Sequence, residues 1–330
     1  MRRDEGSLLL VTLISVSVVT LLALALGGWM RAQGTLLEGG RQRRAARAAT
    51  YRAAVMCLAE RIVAESNRWD ALSQPWAAEP WEWVGEGWRL RVSGHGWDKV
   101  TGDATGLVDE NGKLPLEKVP EPVLSALFRR AANVPEARAA DYARRVVAWR
   151  AGERGAPGEL PEAEPFHNTD DIADVRPVLP FVCVEELYAI PGIDPEHLDA
   201  VRTFLTVAGN GLVNINTATE PVLRAAFAGT AAGDGGAAAR LLERVLGHRR
   251  GGGHFTGAAA ATIGRELGGL PADEAALLGR LEPFITVRST AVSGLAEAQP
   301  ETIAPTRLRG ARSHFIWNRE SQRFVRWIEE

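Results

Sequence analysis

The fold of this chain is decided by Gly6-Ser7-Leu8-Leu9-Leu10-Val11-Thr12-Leu13-Ile14, the start of an uncharged run that lasts through Met30. Charged residues bound the run on both sides: Arg2, Arg3, Asp4 and Glu5 precede it and Arg31 follows it. At the helical rise of about 1.5 Å per residue, residues 7–30 span roughly 36 Å, enough to cross the hydrocarbon core of a bilayer. The sequence therefore predicts one membrane-spanning helix, near the amino terminus.

Three interpretations of this run compete. A cleaved secretory signal has a shorter apolar core of about 7–15 residues, although Ala23-Leu24-Ala25 imitates its cleavage site. A simple signal anchor is the second. The third rests on the junction, where a charged leader (residues 1–6) ends in Gly6 and the apolar helix begins at once with Ser7. This junction resembles the leader of pilins and pseudopilins. The resemblance implies cleavage between Gly6 and Ser7 by a prepilin peptidase and N-methylation of Ser7.

The fifth position after that junction is Val11. Most pilin-like subunits have Glu there, paired with the amino terminus of a neighbouring subunit. Because a buried carboxylate without a partner is costly, a subunit with nothing above it does better with an apolar residue. The K family of minor pseudopilins of type II secretion, thought to cap the filament, is known for lacking this Glu. At this position the chain resembles that family.

The charges beside the run favour the opposite orientation. Cytoplasmic flanks are normally enriched in Lys and Arg, yet Arg2 and Arg3 face a larger group on the far side: Arg31, Arg41, Arg43, Arg44 and Arg47. We expect the leader resemblance to override this count. It implies a single-pass protein of the inner membrane, with the bulk of the chain in the periplasm.

Composition bounds the remaining possibilities. The chain has 330 residues, of which 46% are hydrophobic, and a formal net charge of −3. This length allows about two domains, and the charge gives no electrostatic footprint for nucleic acid. Cys57 and Cys183 can form a disulfide in an oxidising periplasm, and two free buried thiols are the alternative.

Residues 31–67 continue the helix with a sequence rich in Ala and Arg. Ala48, Val55, Ala59 and Ile62 recur at helical spacing, which predicts that they share one face. With the membrane-spanning part, the predicted helix has about 60 residues and a length of some 90 Å. A helix that is half apolar and half amphipathic fits a filament subunit.

Strand patterns lie on both sides of a long helical region. Trp88, Leu90 and Val92 alternate with Arg89, Arg91 and Ser93, the period of a half-buried strand. We interpret the tryptophans around them as packing a small sheet onto the helix, with a sugar-binding platform as the alternative. Residues 284–292 are β-prone, and residues 313–317 and 323–328 predict a hairpin around a turn at 318–322.

An internal duplication lies between these strands. Glu121-Pro122-Val123-Leu124-Ser125-Ala126-Leu127-Phe128 matches Glu220-Pro221-Val222-Leu223-Arg224-Ala225-Ala226-Phe227, and residues 146–152 match 245–251, both at an offset of 99. Each copy predicts a short helix and then a longer one with a basic, Gly-rich end. We therefore expect the pseudopilin domain (31–106 and 281–330) to contain an inserted helical domain (107–280) with two repeats.

Two further motifs strengthen the resemblance to the K family. The first is Glu185-Glu186-Leu187 followed by Pro191-Gly192, and the second is Val213-Asn214-Ile215-Asn216-Thr217. The likeness covers nearly the whole chain. It implies an α+β fold with a long pilin helix, a small antiparallel sheet and a large, duplicated all-α insert related to helix-hairpin-helix (SAM-like) domains.

The same resemblance implies a role and partners. The role is at the tip of the type II secretion pseudopilus, in initiating or capping assembly and supporting export across the outer membrane. The partners are the I-like and J-like minor pseudopilins, the inner-membrane assembly platform and the prepilin peptidase.

The sequence predicts neither catalysis nor a metal site. No catalytic motif is present, and His248 and His254 lack companions for zinc, so we interpret them as surface residues. Calcium is known in inserts of the K family, and oxygen ligands of the type it uses occur at Asp109-Glu110-Asn111 and at Asn168 with Asp170-Asp171. Calcium is therefore a candidate ligand, with solvated loop acids as the alternative.

Two other functions remain as alternatives. A minor pilin of a type IV pilus shares the leader but would not be expected to carry the duplicated insert. A membrane-anchored helix-hairpin-helix protein that binds DNA is the other, because Ile190-Pro191-Gly192-Ile193 precedes a helix as in that module. Since Asp194, Glu196 and Asp199 surround this hairpin, phosphate would be repelled and no nucleic acid is expected.

Overall fold

The computed structural model describes residues 4–65, 67–94, 106–152, 181–231, 235–301 and 310–330. Helix α1 (Asp4–Leu58) continues into one π-helical turn, Ala59–Val63. The long helix predicted from the sequence is confirmed, and it passes through Gly34, Gly39 and Gly40 without a break. Among the described residues, this helix alone is long and apolar enough to cross a membrane, and its most apolar part is not covered by the protein.

The buried face of α1 differs from the predicted one. Ala48, Val55 and Ala59 are exposed, and Ile62 alone of the predicted set is buried. The buried positions are Ala46, Ala49, Thr50, Ala53, Ala54, Cys57 and Leu58. Small residues at helical spacing occur on both faces, so periodicity could not choose between them. The sheet packs on the face where Ala53 and Ala54 allow the closest approach, and both are 0% exposed.

A short helix and two strands follow α1. Helix α2 (Pro75–Ala78) leads into strand β1 (Trp81–Gly85), which pairs antiparallel with β2 (Trp88–Ser93). The predicted strand at Trp88–Val92 is confirmed, with Leu90 and Val92 buried. Strand β3 (Val108–Asp109) then leads into the helical part of the chain.

The helical part consists of two copies of one unit. The first copy has β4 (Leu114–Pro115), α3 (Glu121–Ala131), α4 (Glu136–Arg150), α5 (Pro195–Val201) and β5 (Leu205–Thr206). The second has β6 (Val213–Asn214), α6 (Glu220–Thr230), α7 (Gly235–Arg250), α8 (Ala260–Glu266), α9 (Ala272–Leu281) and β7 (Ile285–Thr286). In each copy the first and last strands pair in parallel.

Matching contacts show that the duplication is structural. Arg150 donates through Nη1 to the carbonyls of Leu116 and Val119. At the same offset of 99, Arg249 donates to the carbonyls of Ile215 and Ala218. The basic ends of α4 and α7 therefore bind the chain that leads into α3 and α6. In the second copy α8 lies between α7 and α9. In the first copy a 3-10 helix, Val184–Ala189, precedes α5.

Three strands at the carboxyl end complete the sheet. They are β8 (Ala291–Pro300), β9 (Ala311–Asn318) and β10 (Arg323–Glu329), and the sheet order is β1-β2-β8-β9-β10, with β3 also paired to β8. The predicted hairpin is confirmed as β9 and β10. The β-prone run 284–292 contains β7 and only the first two residues of β8. The rest of β8 was not predicted, because its Ala and Gly content gives little strand propensity.

Buried apolar side chains form two clusters. One fills the helical part, from Leu114 to Val287. The other joins α1 to the sheet and contains Trp76, Trp81 and Trp317, as the interpretation of the tryptophans predicts. Cys57 and Cys183 are both free, and Cys183 is only partly buried. The α+β class is confirmed, with the helical part inserted between the two groups of sheet strands.

Candidate functional site

The apolar amino-terminal part of α1 is the first candidate site. Gly6 and Ser7 lie in its helical backbone, and the side chain of Val11 is 57% exposed. Leu13, Leu21 and Leu24 are exposed to a similar degree. Such a surface requires a bilayer or other apolar helices around it, and the helix fits a single-pass anchor. Cleavage between Gly6 and Ser7 and methylation of Ser7 stay predictions.

The second candidate is a buried polar network that connects the helical insert to α1 and the sheet. We call it the joint, and it consists of Asp70, Asp109, Glu110, Asn111, Asn214, Thr217, Ser289, Thr290 and Arg319. Asp109 is its centre, because donors from three separate segments bind this one carboxylate. Its Oδ2 accepts from Asn214 Nδ2 at 2.9 Å and from the hydroxyls of Thr217 and Ser289. Its Oδ1 accepts from the N–H of Asn111 at 2.8 Å.

Asp70 and Arg319 connect the joint to the end of α1. Asp70 Oδ2 accepts from Arg319 Nη1 at 2.8 Å and from the N–H of Ser289 at 2.7 Å. Arg319 Nη2 also donates to the carbonyl of Ile62 at 3.4 Å. Because a buried ion pair loses its hydration, these additional hydrogen bonds are needed to offset the cost.

Glu110 and Asn111 join the two chain crossings between the sheet and the insert. Glu110 accepts from the hydroxyls of Ser293 and Thr206 and from Lys113 Nζ. Asn111 donates through Nδ2 to Asn210 Oδ1 and the carbonyl of Leu212, both at 2.9 Å. Its Oδ1 accepts from the N–H of Thr290 at 2.8 Å. Apart from the local contact between Lys113 and Glu110, these contacts hold segments that are far apart in the sequence.

The pKa values of the two buried carboxylates shift in opposite directions. It raises the pKa of Asp109 to about 6, because the hydrogen bonds from Ser289 and Thr217 recover only part of the lost hydration. Burial also acts to raise the pKa of Glu110. The charge of Lys113 and the hydroxyls of Ser293 and Thr206 outweigh that effect, so the pKa of Glu110 is lowered.

Calcium does not fit the residues Asp109, Glu110 and Asn111. Every carboxylate oxygen of Asp109 and Glu110 accepts a hydrogen bond from the protein, and the side-chain oxygen of Asn111 binds Thr290. These residues are also buried rather than solvated, so both interpretations from the sequence are wrong here. Asn168, Asp170 and Asp171 lie outside the described residues. Within the described ranges no group of His, Cys, Asp and Glu could hold a metal ion.

The motif Val213-Asn214-Ile215-Asn216-Thr217 is structural, and its two asparagines have different tasks. Asn214 binds Asp109 in the joint. Asn216 donates through Nδ2 to the carbonyl of Phe255 at 2.9 Å and accepts from its N–H at 2.8 Å. Val213 and Ile215, which alternate with the asparagines, are buried. The motif therefore connects the second repeat both to the sheet and to the turn after α7.

The motif at residues 185–192 shapes the start of the hairpin before α5. Glu186 Oε1 accepts from the N–H groups of Val182 and Cys183, and Leu187 is buried. Glu185 Oε2 lies 3.6 Å from Nη1 of Arg326 in β10. This ion pair adds a contact between the insert and the sheet. Pro191 and Gly192 are exposed, and Gly192 has a φ of 78° that the tight turn requires.

His248 and His254 are packed rather than free at the surface. The ring of His254 stacks on Trp69 with centroids 3.6 Å apart, and His248 stacks on Phe255 at 4.7 Å. These contacts could not be predicted from sequence, because Trp69 comes from the distant segment after α1. The His254–Trp69 stack adds an aromatic contact beside the joint.

The hairpin before α5 has a counterpart before α9, and neither suits DNA. Arg145 donates to the carbonyl of Pro191, and its equivalent Arg244 donates to that of Gly269. Both arginines also pair with carboxylates, Asp141 and Glu274. Acidic residues occupy the first turns of α5 and α9. This negative charge at the start of each helix disfavours phosphate.

Comparisons with known proteins agree with this architecture. No family model matches the chain, and no curated protein matches its sequence. One solved structure that matches is the GspK-GspI-GspJ complex of the type 2 secretion system from enterotoxigenic Escherichia coli. The similarity has a TM-score of 0.60 and 16% sequence identity, and it covers 89% of this chain and 98% of that chain. By fold, this chain is similar to a chain of that complex over almost its full length.

Proposed function

We propose that this chain is a minor pseudopilin at the tip of a type II secretion pseudopilus, where it initiates or caps assembly and supports export across the outer membrane. The observation that carries the proposal is the shared fold over almost the full length of a chain from the GspK-GspI-GspJ complex. On this proposal, I-like and J-like minor pseudopilins are its partners. It has a structural role and no catalytic one.

The exposed apolar helix supports a place in the inner membrane before assembly. Residues 7–30 would cross the bilayer, and the sheet and insert would lie in the periplasm. A prepilin peptidase would cut between Gly6 and Ser7, the new amino terminus would be methylated, and the assembly platform would receive the mature chain. In the filament, the same helix surface would pack in parallel with those of the partners.

The position of the insert supports the proposed place of this chain at the filament tip. The insert meets the rest of the protein at the carboxyl end of α1, where Arg319 binds the carbonyl of Ile62 and Trp69 stacks on His254. This place is about 48 Å along the helix from Met30. A large body at that end, with several buried contacts holding it, would obstruct another subunit stacked above it.

Assembly with labelled partners tests this proposal. The full chain is produced together with I-like and J-like pseudopilins, and gold labels mark it in the filaments that form. We expect a stable complex of the three proteins and label at one filament end. Label at repeated positions along the shaft would contradict the proposed tip position. Absence of any complex with the partners would contradict the pseudopilin role.

A further inference from the structure

Four arginines follow the apolar part of α1 and have no carboxylate partner among the described residues. We call Arg31, Arg41, Arg43 and Arg44 the arginine collar. All four are exposed. The next two arginines behave differently, because Arg47 pairs with Glu329 and Arg52 with Glu86. The sole acidic residue between positions 31 and 59 is Glu38, and its carboxylate accepts from Gln42.

The side chains of the collar extend toward the apolar end of the helix. The guanidinium of Arg31 lies 4.0 Å from the position that a Cβ on Gly27 would occupy, one turn nearer the amino terminus. The guanidinium of Arg44 lies 3.9 Å from the same position on Gly40. Helical side chains lean in this direction in general. Each charge is therefore about one turn, or roughly 5 Å, nearer the membrane than its Cα.

The collar surrounds the helix instead of marking one face. At 3.6 residues per turn, Arg41, Arg43 and Arg44 lie about 280°, 120° and 220° around the axis from Arg31. A partner helix covers one side of α1 and would leave most of these charges unmatched. Lipid headgroups surround a membrane helix on every side. The arrangement therefore favours a lipid surface over a single acidic protein.

The depth of the four charges agrees with this choice. If Met30 marks the edge of the hydrocarbon, Arg31 lies in the headgroup layer, which is about 6 Å thick. The Cα of Arg41 is about 16 Å beyond Met30 and its charge is one turn closer. The three outer charges then lie within about one Debye length, 8–10 Å, of the headgroups.

We infer that the arginine collar binds anionic phospholipid headgroups. They belong to the leaflet on the side of the sheet and insert, where α1 leaves the membrane after Met30. The inference rests on the proposed membrane placement of α1. It specifies the lipid that the protein prefers. It also gives a function to the arginines after the apolar run, whose excess over those in the leader was left unexplained. Attraction between these cations and anionic lipid would hold the exit point of the helix at the surface until the subunit is assembled.

Quenching of Trp29 by brominated lipids tests the inference on the full chain. Trp29 is 61% exposed and next to the collar, and the other tryptophans begin at Trp69, beyond the helix. The chain is reconstituted in phosphatidylcholine vesicles that contain a minor fraction of phosphatidylglycerol, with bromine on one lipid or the other. The collar variant changes its four arginines to Gln. A control variant makes the same change at four exposed arginines elsewhere: Arg89, Arg130, Arg265 and Arg280.

We expect brominated phosphatidylglycerol to quench Trp29 more than its share of the lipid predicts, with a preference on the order of five-fold for each arginine that reaches the headgroups. The collar variant should lose the preference, the control should keep it, and high salt should weaken it. A preference that is absent, or that survives in the collar variant, would overturn the inference.

Two further outcomes separate the inference from the proposed function. If brominated phosphatidylcholine quenches Trp29 but phosphatidylglycerol has no advantage, the anchor stands and the lipid preference fails. If neither lipid quenches Trp29, the proposed membrane placement fails as well. Loss of the complex with partner pseudopilins in the collar variant, with its lipid preference unchanged, would assign the charges to a protein and overturn the inference.

Discussion

Asp109 is the residue on which the joint depends. One oxygen of its carboxylate accepts three hydrogen bonds from the insert and the return crossing. From the sequence, Asp109-Glu110-Asn111 was a candidate for calcium or for solvated loop acids, because polar residues beside Gly112 usually lie at the surface. Its partners Asp70, Ser289 and Arg319 are distant in the sequence and carry no motif, so the joint could not be predicted.

Replacement of Asp109 with Asn should remove a pH dependence of stability. The pKa of Asp109 is raised from 3.8 to about 6, so between these values the folded state binds more protons than the unfolded state. The contribution of this group to the free energy of unfolding therefore falls as pH rises from about 4 to about 6. The wild type should gain stability over Asp109→Asn as pH is lowered through this window, by up to about 3 kcal/mol.

Urea unfolding of the two proteins at several pH values checks this expectation. At pH 7 the variant should be less stable by about 1–3 kcal/mol. Both oxygens of the Asp109 carboxylate accept hydrogen bonds, and in Asn one of them becomes an NH₂ group that faces a donor. A constant difference between the two proteins from pH 4 to pH 7 would contradict the assignment to Asp109.

Replacement of Asn216 with Ala should be much more costly than the same change at the equivalent position of the first repeat. Asn216 binds both backbone groups of Phe255, and its loss leaves a buried N–H and a buried carbonyl unpaired, at about 1–3 kcal/mol each. Glu117, 99 residues earlier, is exposed. Denaturant midpoints of Asn216→Ala and Glu117→Ala give the comparison, and equal losses would refute the role assigned to Asn216.

The paired helices α3 and α6 are the elements that the duplication places together. They come from equivalent positions of the two copies, and Gly229 lies against the backbone of Val123. The sequence predicted these helices well because both copies repeat the same apolar spacing and the same Pro near the start. It did not predict β8, whose composition is poor in strand formers, nor which face of α1 is buried.

Substitution by Ala should change the stability of the protein in opposite directions at Gly229 and at Gly247. A Cβ on Gly229 would be 2.6 Å from the backbone of Val123, so Gly229→Ala must separate α3 from α6 and should cost about 2 kcal/mol or more. Gly247 lies inside α7 with open space around it. Gly247→Ala should therefore stabilise the protein by up to about 1 kcal/mol, since Ala is the better helix former. Thermal unfolding of both variants checks the pair, and equal shifts would contradict the close packing.

The whole molecule combines a long exposed helix, a sheet on its second half and an insert at its carboxyl end. The long helix and the duplicated insert could be anticipated because each leaves a local or repeated pattern. The contacts that fix the insert on the sheet leave none, since each joins segments distant in sequence. The similarity to the complex of the type 2 secretion system is therefore visible in the fold, with a TM-score of 0.60, and much less in the sequence, with 16% identity.

Val11→Glu tests how the whole chain is placed in a filament. The side chain of Val11 is exposed on α1, so the variant should unfold at the same temperature as the wild type. At a tip, the new carboxylate would have no amino terminus above it and would be buried without a partner. We expect severalfold less of the variant in assembled filaments, while Val11→Leu assembles normally. Equal incorporation of Val11→Glu would contradict the proposed position.

The most direct test of the central claim is the amino-terminal sequence and mass of the mature protein, extracted from membranes with and without its prepilin peptidase. The account predicts a chain that starts at a methylated Ser7 and appears only when the peptidase is present. A mature protein that retains Met1, or that begins after Ala25, would contradict the pseudopilin assignment.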